Sequence, residues 1–352
     1  MSIKPCFQAD PPSLPNPPSP AALRKLLQEH GYAVVRGVLS PAEVEETLEL
    51  LWDYIEAASA AKLSLSAASP TSAPTSAPVD RSRPSTWSDP AWPNAVEGGI
   101  FPYFGAGHSR CSWHVRSLAS VRELFRRLHP GASRLSSSFD GLLAWRSSHP
   151  TEKGWFHVDQ NPQAKPGAAS FQALVNLLPA DPSTGGNVLV RGSHRLFPGH
   201  FLSPPYAGRL AELAGEDWLE VLPDDPELEA AAARGDVVMS GLGAGDVLLW
   251  DSRTWHCSYP PPAAPAAGAR LGRAAVLVNM VDAELVTEEV RGRREQAVRE
   301  GRTGTHWPDK QAQLGGERGE EVALEERRVE LMRERGEVLT LEQLTEEMRE
   351  LI

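Results

Sequence analysis

The sequence predicts a mainly β fold with flanking helices, on three observations. From about residue 98 to 280, short apolar stretches alternate with Gly, Pro and Asp turns, as in an all-β barrel or sandwich. Two capped, one-faced helical segments come before that region. After about residue 284 charge dominates and the pattern turns helical again.

Taken in order, residues 1–18 read as a flexible arm, because their prolines cannot join a helix or supply ladder donors. Ser19-Pro20 opens a helix: Ser19 caps, Pro20 suits the first helical position, Leu23, Leu26 and Leu27 form one stripe, and Gly31 ends it. Tyr32 to Val35 is a short apolar strand. Ser40-Pro41-Ala42-Glu43 is a capping box for a helix with Val44, Leu48, Leu51 and Ile55 on one face. Residues 58–79, mostly Ala, Ser, Pro and Thr, have little to bury and read as a low-complexity disordered insertion. Candidate strands follow at Gly141 to Trp145, Phe171 to Leu178, Val188 to Val190, Asp246 to Trp250 and Ala274 to Met280. The division is therefore an arm at 1–18, a main domain at 19–284 and a charged helical C-terminal extension at 285–352. In that extension Thr340-Leu341-Glu342-Gln343 is another capping box, and Leu341, Leu344, Met348 and Leu351 fall at helical spacing. The stripe would pack back on the barrel or serve a homodimer contact.

With 352 residues, 41% of them hydrophobic, the chain can bury a large core. A net charge of −11 argues against nucleic-acid partners, whose phosphates need Lys and Arg. No apolar run approaches the roughly 18–20 residues that span a bilayer. The proline-rich start lacks the apolar core of a secretory signal, and the Glu350-Leu351-Ile352 end is not a peroxisomal address. Cys6, Cys111 and Cys257 are too few and too scattered for a disulfide framework. A soluble cytoplasmic protein acting on a small molecule is the expectation.

The residues that carry chemistry are His157-Val158-Asp159 and a distant histidine, His256. In a strand, residues i and i+2 share a face, so His157 and Asp159 can reach one ion while Val158 packs away. Two imidazoles and one carboxylate form a facial triad that leaves positions open, the ligand set of non-haem Fe(II) oxygenases. Asp246-Val247-Leu248-Leu249-Trp250-Asp251 reads as a strand entering a turn, which would deliver His256 to the barrel mouth. A lone His-x-Asp is a weak signal; the flanking segments add to it.

Those segments are Trp155-Phe156-His157-Val158-Asp159-Gln160-Asn161-Pro162, then Gly185-Gly186-Asn187-Val188-Leu189-Val190-Arg191-Gly192-Ser193-His194, then Gly245 to Asp251 with His256 five residues on. In this order, and with Gly31 to Ser40 ahead of them, they resemble the phytanoyl-CoA dioxygenase-like family of Fe(II)/2-oxoglutarate oxygenases over roughly residues 20–280. The resemblance implies a double-stranded β-helix, a jelly-roll or cupin-like barrel. It implies His157, Asp159 and His256 as iron ligands, with 2-oxoglutarate and O2 as co-substrates. Related halogenases lack the carboxylate and bind chloride in its place, so Asp159 favours oxygenation. An arginine near the strand after the distal histidine would bind the far carboxylate of 2-oxoglutarate, its planar fork matching that group. Arg273 directly precedes Ala274 to Asn279 and is preferred to Arg270, in the loop before it. Ser258, two residues beyond His256, would share that task. Gln172 and Asn176, in step on one strand, would point toward the keto acid.

Trp155, Gln160, Arg116 and Trp113 are candidate substrate contacts, with Phe156 and Trp250 as apolar walls. His194 reads as a turn or wall residue, and Cys257 points away from the metal. The expected reaction is oxidation, most simply hydroxylation, of a C–H bond in a small organic metabolite, with release of succinate and CO2. The competing readings are a non-catalytic jelly-roll binding protein, or a barrel metalloenzyme that does not use 2-oxoglutarate.

Overall fold

The computed structural model describes residues 3–67, 76–96, 99–147, 154–210, 217–261, 270–310 and 319–352. Chain order is β1 (Cys6–Gln8), β2 (Ser13–Pro15), α1 (Pro20–His30), β3 (Tyr32–Arg36), α2 (Pro41–Ala67), β4 (Ile100–Phe101), α3 (Arg110–Ser117) and α4 (Ala119–Leu128). Then come β5 (Leu135–Ser137), β6 (Leu142–Arg146), β7 (His157–Val158), β8 (Phe171–Asn176), β9 (Gly186–Val190), β10 (Leu219–Glu220) and α5 (Pro226–Arg234). The chain continues through β11 (Val237–Ser240), β12 (Val247–Asp251), β13 (His256–Tyr259), β14 (Leu271–Asp282), α6 (Glu288–Glu300), α7 (Gly319–Glu334) and α8 (Glu346–Arg349).

Two sheets face each other as a double-stranded β-helix. One runs β1-β11-β9-β13-β7-β10; the other runs β2-β3-β12-β8-β14-β6-β4, with β5 also on β14. Strand alternation sorts side chains into three layers. On the second sheet Ala33, Val35, Val247, Leu249, Val276 and Val278 turn outward against the helices. Leu143, Trp145, Leu174, Leu189, Leu248, Trp250 and Ala275 fill the space between the sheets. Val158, Val188, Val190, Val237 and Cys257 cover the outer face of the first sheet, against Phe197, Phe201 and Tyr206.

The local signals fold as read. Ser19 accepts from the Ala22 amide, and Gly31 (φ 83°) takes the left-handed cap that ends α1. The Ser40–Glu43 box is closed in both directions. The five strands named from residue 141 onward appear as β6, β8, β9, β12 and β14, shifted by a few residues.

Three expectations need correction. The described part of the expected arm at 1–18, residues 3–18, is not free: β1 pairs parallel with β11, and β2 with β3. Both are edge strands, where a proline need not donate. The expected insertion at 58–79 begins inside α2; Ala58 and Ala61 are fully buried, since Ala and Leu are strong helix formers that need little room. At its other end Val79 is buried and its amide donates to Ser59 Oγ, while residues 68–75 lie outside the described residues. The Thr340 capping box starts a single 3-10 turn rather than a long helix, and Thr345 caps the short α8 that follows.

The C-terminal extension packs back on the barrel. Buried Arg294 donates to the carbonyls of Ser137, Pro308, Leu351 and Ile352, and the Ser137 amide donates to Leu351. Leu344 and Leu351 are buried within the helix-side core. The extension is thereby part of the layer that supports β5.

Candidate metal centre

Strand β7 is two residues long, yet it is held on both sides. Val158 pairs with Leu219, and His157 pairs with Glu220 on one edge and with His256 on the other. Cross-strand partners point to the same face, so the two imidazoles meet, ring centroids 4.3 Å apart. Asp159 follows in a turn fixed by its amide, which donates to Ser252 O at 2.9 Å. The ligand atoms of His157, Asp159 and His256 all lie within 4.8 Å of one another.

Both histidines are oriented from behind. Nδ1 of His157 lies 2.8 Å from Trp155 O, and Nδ1 of His256 lies 2.9 Å from Thr254 O. A carbonyl can only accept, so each Nδ1 carries the proton and each Nε2 is left as an acceptor. Those atoms face Asp159 at 3.6 Å and 3.1 Å. Two nitrogen lone pairs aimed at a carboxylate call for a cation among them, so the donor set fits a divalent metal. Burial, helped by His256, lowers His157 to about 4 and keeps it neutral. Burial opposes charge on Asp159, but the imidazoles of His256 and His157 hold its carboxyl well below the usual range. Burial also works against charge on His256, yet Asp159 beside it raises its pKa.

Further groups brace Asp159. Gln172 Nε2 donates to Asp159 Oδ2 at 2.9 Å. His306 Nε2 lies 3.1 Å from Asp159 O, and Asn279 Nδ2 donates to His306 O. Trp250 forms an apolar wall, its ring 5.3 Å from His256.

Of the two candidate arginines, Arg270 is exposed, whereas Arg273 is 1% exposed on β14. Arg273 donates to Asn187 Oδ1 and lies 4.8 Å over the Trp145 ring. Its Nε and Nη1 are buried without a hydrogen-bond partner, and among the described residues no carboxylate pairs with it. Burial alone lowers its pKa to about 9. Asn187 is the register partner of Ser258, two residues along β13 from His256. Arg273, on the facing sheet, therefore reaches this sheet at a residue paired with Ser258, which lies about 7 Å, two strand residues, along β13 from His256.

Other candidates lie elsewhere. Gln160 is fully buried and spent: it donates to Lys165 O and Gly167 O and accepts from Ser252 Oγ, so it ties a loop together and offers nothing to a substrate. Asn176 donates to Leu178 O and Gly243 O, bracing the far end of β8. Trp113 and Arg116 are fully buried on α3 against Phe139, inside the helix–sheet core. Trp155 is 37% exposed, with its ring 4.6 Å from His157 and 5.1 Å from Trp218, itself 45% exposed. His194 is a turn residue whose Nε2 lies 3.1 Å from Gln28 O, and Cys257 packs in the outer core. Asn187, Trp218 and His306 are near the site without having been singled out. Only Asn187 had a visible signal, its alternation with Gly185 and Leu189 in a strand.

A family model for phytanoyl-CoA dioxygenase matches residues 27–261. The chain belongs to the phytanoyl-CoA dioxygenase family. That is a family of iron- and 2-oxoglutarate-dependent oxygenases, and the triad lies within the matched stretch. Ava biosynthesis cluster protein O of Aspergillus versicolor is 30% identical over 186 residues, 51% of this chain. The match spans 58% of that relative's length. Among solved structures, hypothetical protein JW0805 of Escherichia coli superposes with a TM-score of 0.51 at 13% identity, covering 97% of this chain and 85% of that one. EctD from S. alaskensis, in its apoform, gives 0.45 at 17% identity, covering 82% and 86%. The JW0805 likeness speaks to the fold alone.

Proposed function

We propose that this protein is an Fe(II)- and 2-oxoglutarate-dependent dioxygenase that hydroxylates a C–H bond of a small organic metabolite. The observation that carries the reading is Arg273, a buried cation with two unmatched donors in the same chamber as a His-Asp-His triad. A buried charge without a partner is costly, so the site is built for an anion. The dicarboxylate 2-oxoglutarate would place one end at the triad and the other at Arg273. Bound iron with 2-oxoglutarate supplies the oxidising chemistry, in which O2 is consumed, succinate and CO2 leave, and C–H becomes C–OH.

The protein's own residues hold and orient. His157, Asp159 and His256 would take one face of the metal, and their backbone-fixed Nδ1 atoms keep both rings in the ligating tautomer. Gln172 fixes the Asp159 oxygen that faces His256. Asn187 steers the Arg273 fork, with Ser258 beside it. Leu174, Leu248 and Trp250 make the chamber apolar and exclude water. Among the described residues no helix is long and apolar enough to cross a membrane.

Anaerobic addition of Fe(II) and 2-oxoglutarate should give the weak visible charge-transfer band of the chelate. His157→Ala should abolish iron binding. Folded protein that gives no band, and no succinate with any compound tried, sinks the proposal.

A further inference from the structure

Two exposed tryptophans beside the triad have no part in the scheme above. Antiparallel pairing sets Glu220 opposite His157 and Leu219 opposite Val158. Alternation from those pairs sorts the flanking residues. Phe156, Val158, Leu219 and Val221 turn to the outer face and are buried there. Trp155, two residues before His157, and Trp218, two before Glu220, therefore fall on the face that carries the imidazole. Their rings meet on that face. Trp218 lies 5.1 Å from Trp155, which lies 4.6 Å from His157, which in turn lies 4.3 Å from His256.

The backbone under the two indoles is fastened. The Gly154 amide donates to Ser258 O at 3.0 Å, and the Val221 amide donates to Phe156 O at 2.7 Å. Asp217, next to Trp218, pairs with Lys310 at 2.5 Å and with Lys165 at 3.9 Å. Lys165 also pairs with Asp309 at 3.7 Å and lies 3.1 Å over the Trp307 ring. Trp307, Asp309 and Lys310 belong to the segment whose His306 reaches Asp159 O. The rings themselves stay open to solvent, and among the described residues they are the only exposed aromatic pair in ring contact. The side chains of His157 and Asp159 are 22% and 15% exposed, so the triad opens to solvent beside these rings.

Large apolar surface left open at a metal mouth marks a place where a ligand sits. The charges around it decide which kind. Of the acids flanking Trp218, Asp217 is matched by Lys310 and Lys165, and Glu220 pairs with Arg209 at 3.4 Å. The two lysines are in turn matched by Asp217 and Asp309. Among the described residues, therefore, this rim offers an ionic group of a substrate no unmatched counter-charge. An uncharged planar ring has what two indoles can hold, a face for offset stacking and an edge for a tilted contact.

Resting on the dioxygenase reading, we propose that Trp155 and Trp218 form the substrate platform at the metal mouth, and that the substrate carries an uncharged planar ring, aromatic or conjugated, that lies against them. The C–H bond to be oxidised adjoins that ring. Both indoles are specificity-determining residues and take no part in the chemistry.

The test screens succinate release in three arms. The first holds uncharged planar rings (coumarin, flavone, 1-naphthol), the second uncharged saturated compounds (cyclohexanol, menthol, 1-decanol) and the third charged compounds (choline, citrate). Turnover should appear in the first arm. With those hits Trp218→Ala should raise KM about fivefold or more, with kcat kept within about threefold. Anaerobic calorimetric titration of the Fe(II)–2-oxoglutarate enzyme should show the same rise in Kd. Trp218→Phe should recover most of the loss and Trp218→Leu should not, because leucine supplies apolar surface without a π face. The chelate band should form in all three variants. The proposal is overturned if Trp218→Ala stays within about twofold or loses the band, or if leucine recovers binding as well as phenylalanine. It is also overturned if turnover is confined to the other arms, or if the wild-type band forms and no compound is oxidised. Absence of the band from wild type defeats the dioxygenase reading itself, a separate result.

Discussion

Gln172 shows how much one side chain beyond the triad can decide. Its amide is the donor that the structure gives the Asp159 carboxylate from β8 in the facing sheet. Gln172→Leu should leave the barrel folded and weaken Fe(II) or Mn(II) binding about 10- to 100-fold, the usual cost of losing a group that orients a ligand. Calorimetric titration reads this, and unchanged affinity would remove Gln172 from the site. Arg273→Leu separates two functions in one chamber. Iron binding should persist while the 2-oxoglutarate chelate band requires at least tenfold more co-substrate, the loss expected for a bidentate charge-assisted contact. Equal loss of iron and co-substrate would mean that Arg273 supports the fold. Arg270, exposed in front of β14, should tolerate the same change.

At the scale of elements, the informative piece is the C-terminal extension, all of which lies beyond the family match. It contributes His306 behind Asp159, and Arg294 gathers four carbonyls from β5, the Pro308 turn and the chain end. Arg294→Ala orphans those carbonyls and opens a cavity under Phe139, over which the guanidinium lies at 4.4 Å. Stability should fall by about 3 kcal/mol or more, measured by urea unfolding. A loss below about 1 kcal/mol would mean that the extension docks only loosely. The helices and strands were legible where the signal is local. Ser19, Ser40 and Gly31 mark helix ends through bonds within a few residues, and β12 announces itself by an apolar run. What misled was composition: prolines in residues 1–18 suggested a free arm, and Ala/Ser content suggested disorder at 58–67. Edge strands and small-residue helix packing make both compositions ordinary.

At the scale of the whole molecule, α7 meets the barrel's helical layer through a partly buried acid. Glu325 accepts from the Gly105 amide at 3.1 Å, and burial raises it to about 7. The folded value exceeds the unfolded 4.5, so the folded chain holds a proton that the unfolded chain has released. The resulting stability is complete below about pH 4.5 and lost as pH rises through about 7. Glu325→Gln should flatten that slope and raise stability at pH 8 by about 1–3 kcal/mol, read from unfolding curves at pH 5 and pH 8. An unchanged slope assigns the pH dependence elsewhere. The triad was readable because its parts are patterns: alternation puts His157 and Asp159 on one face, and a strand and turn deliver His256. The places of Asn187 and His306 were not readable, because each depends on which distant segment lies alongside. The sequence by itself determined the order of elements, the ligand set and the presence of an arginine near the strand after His256, since caps and alternation act over a few residues. Only the tertiary structure buried Arg273 and left Arg270 exposed, and tied Gln160 and Arg116 to backbone carbonyls, because register and burial arise from pairing between segments far apart in the chain.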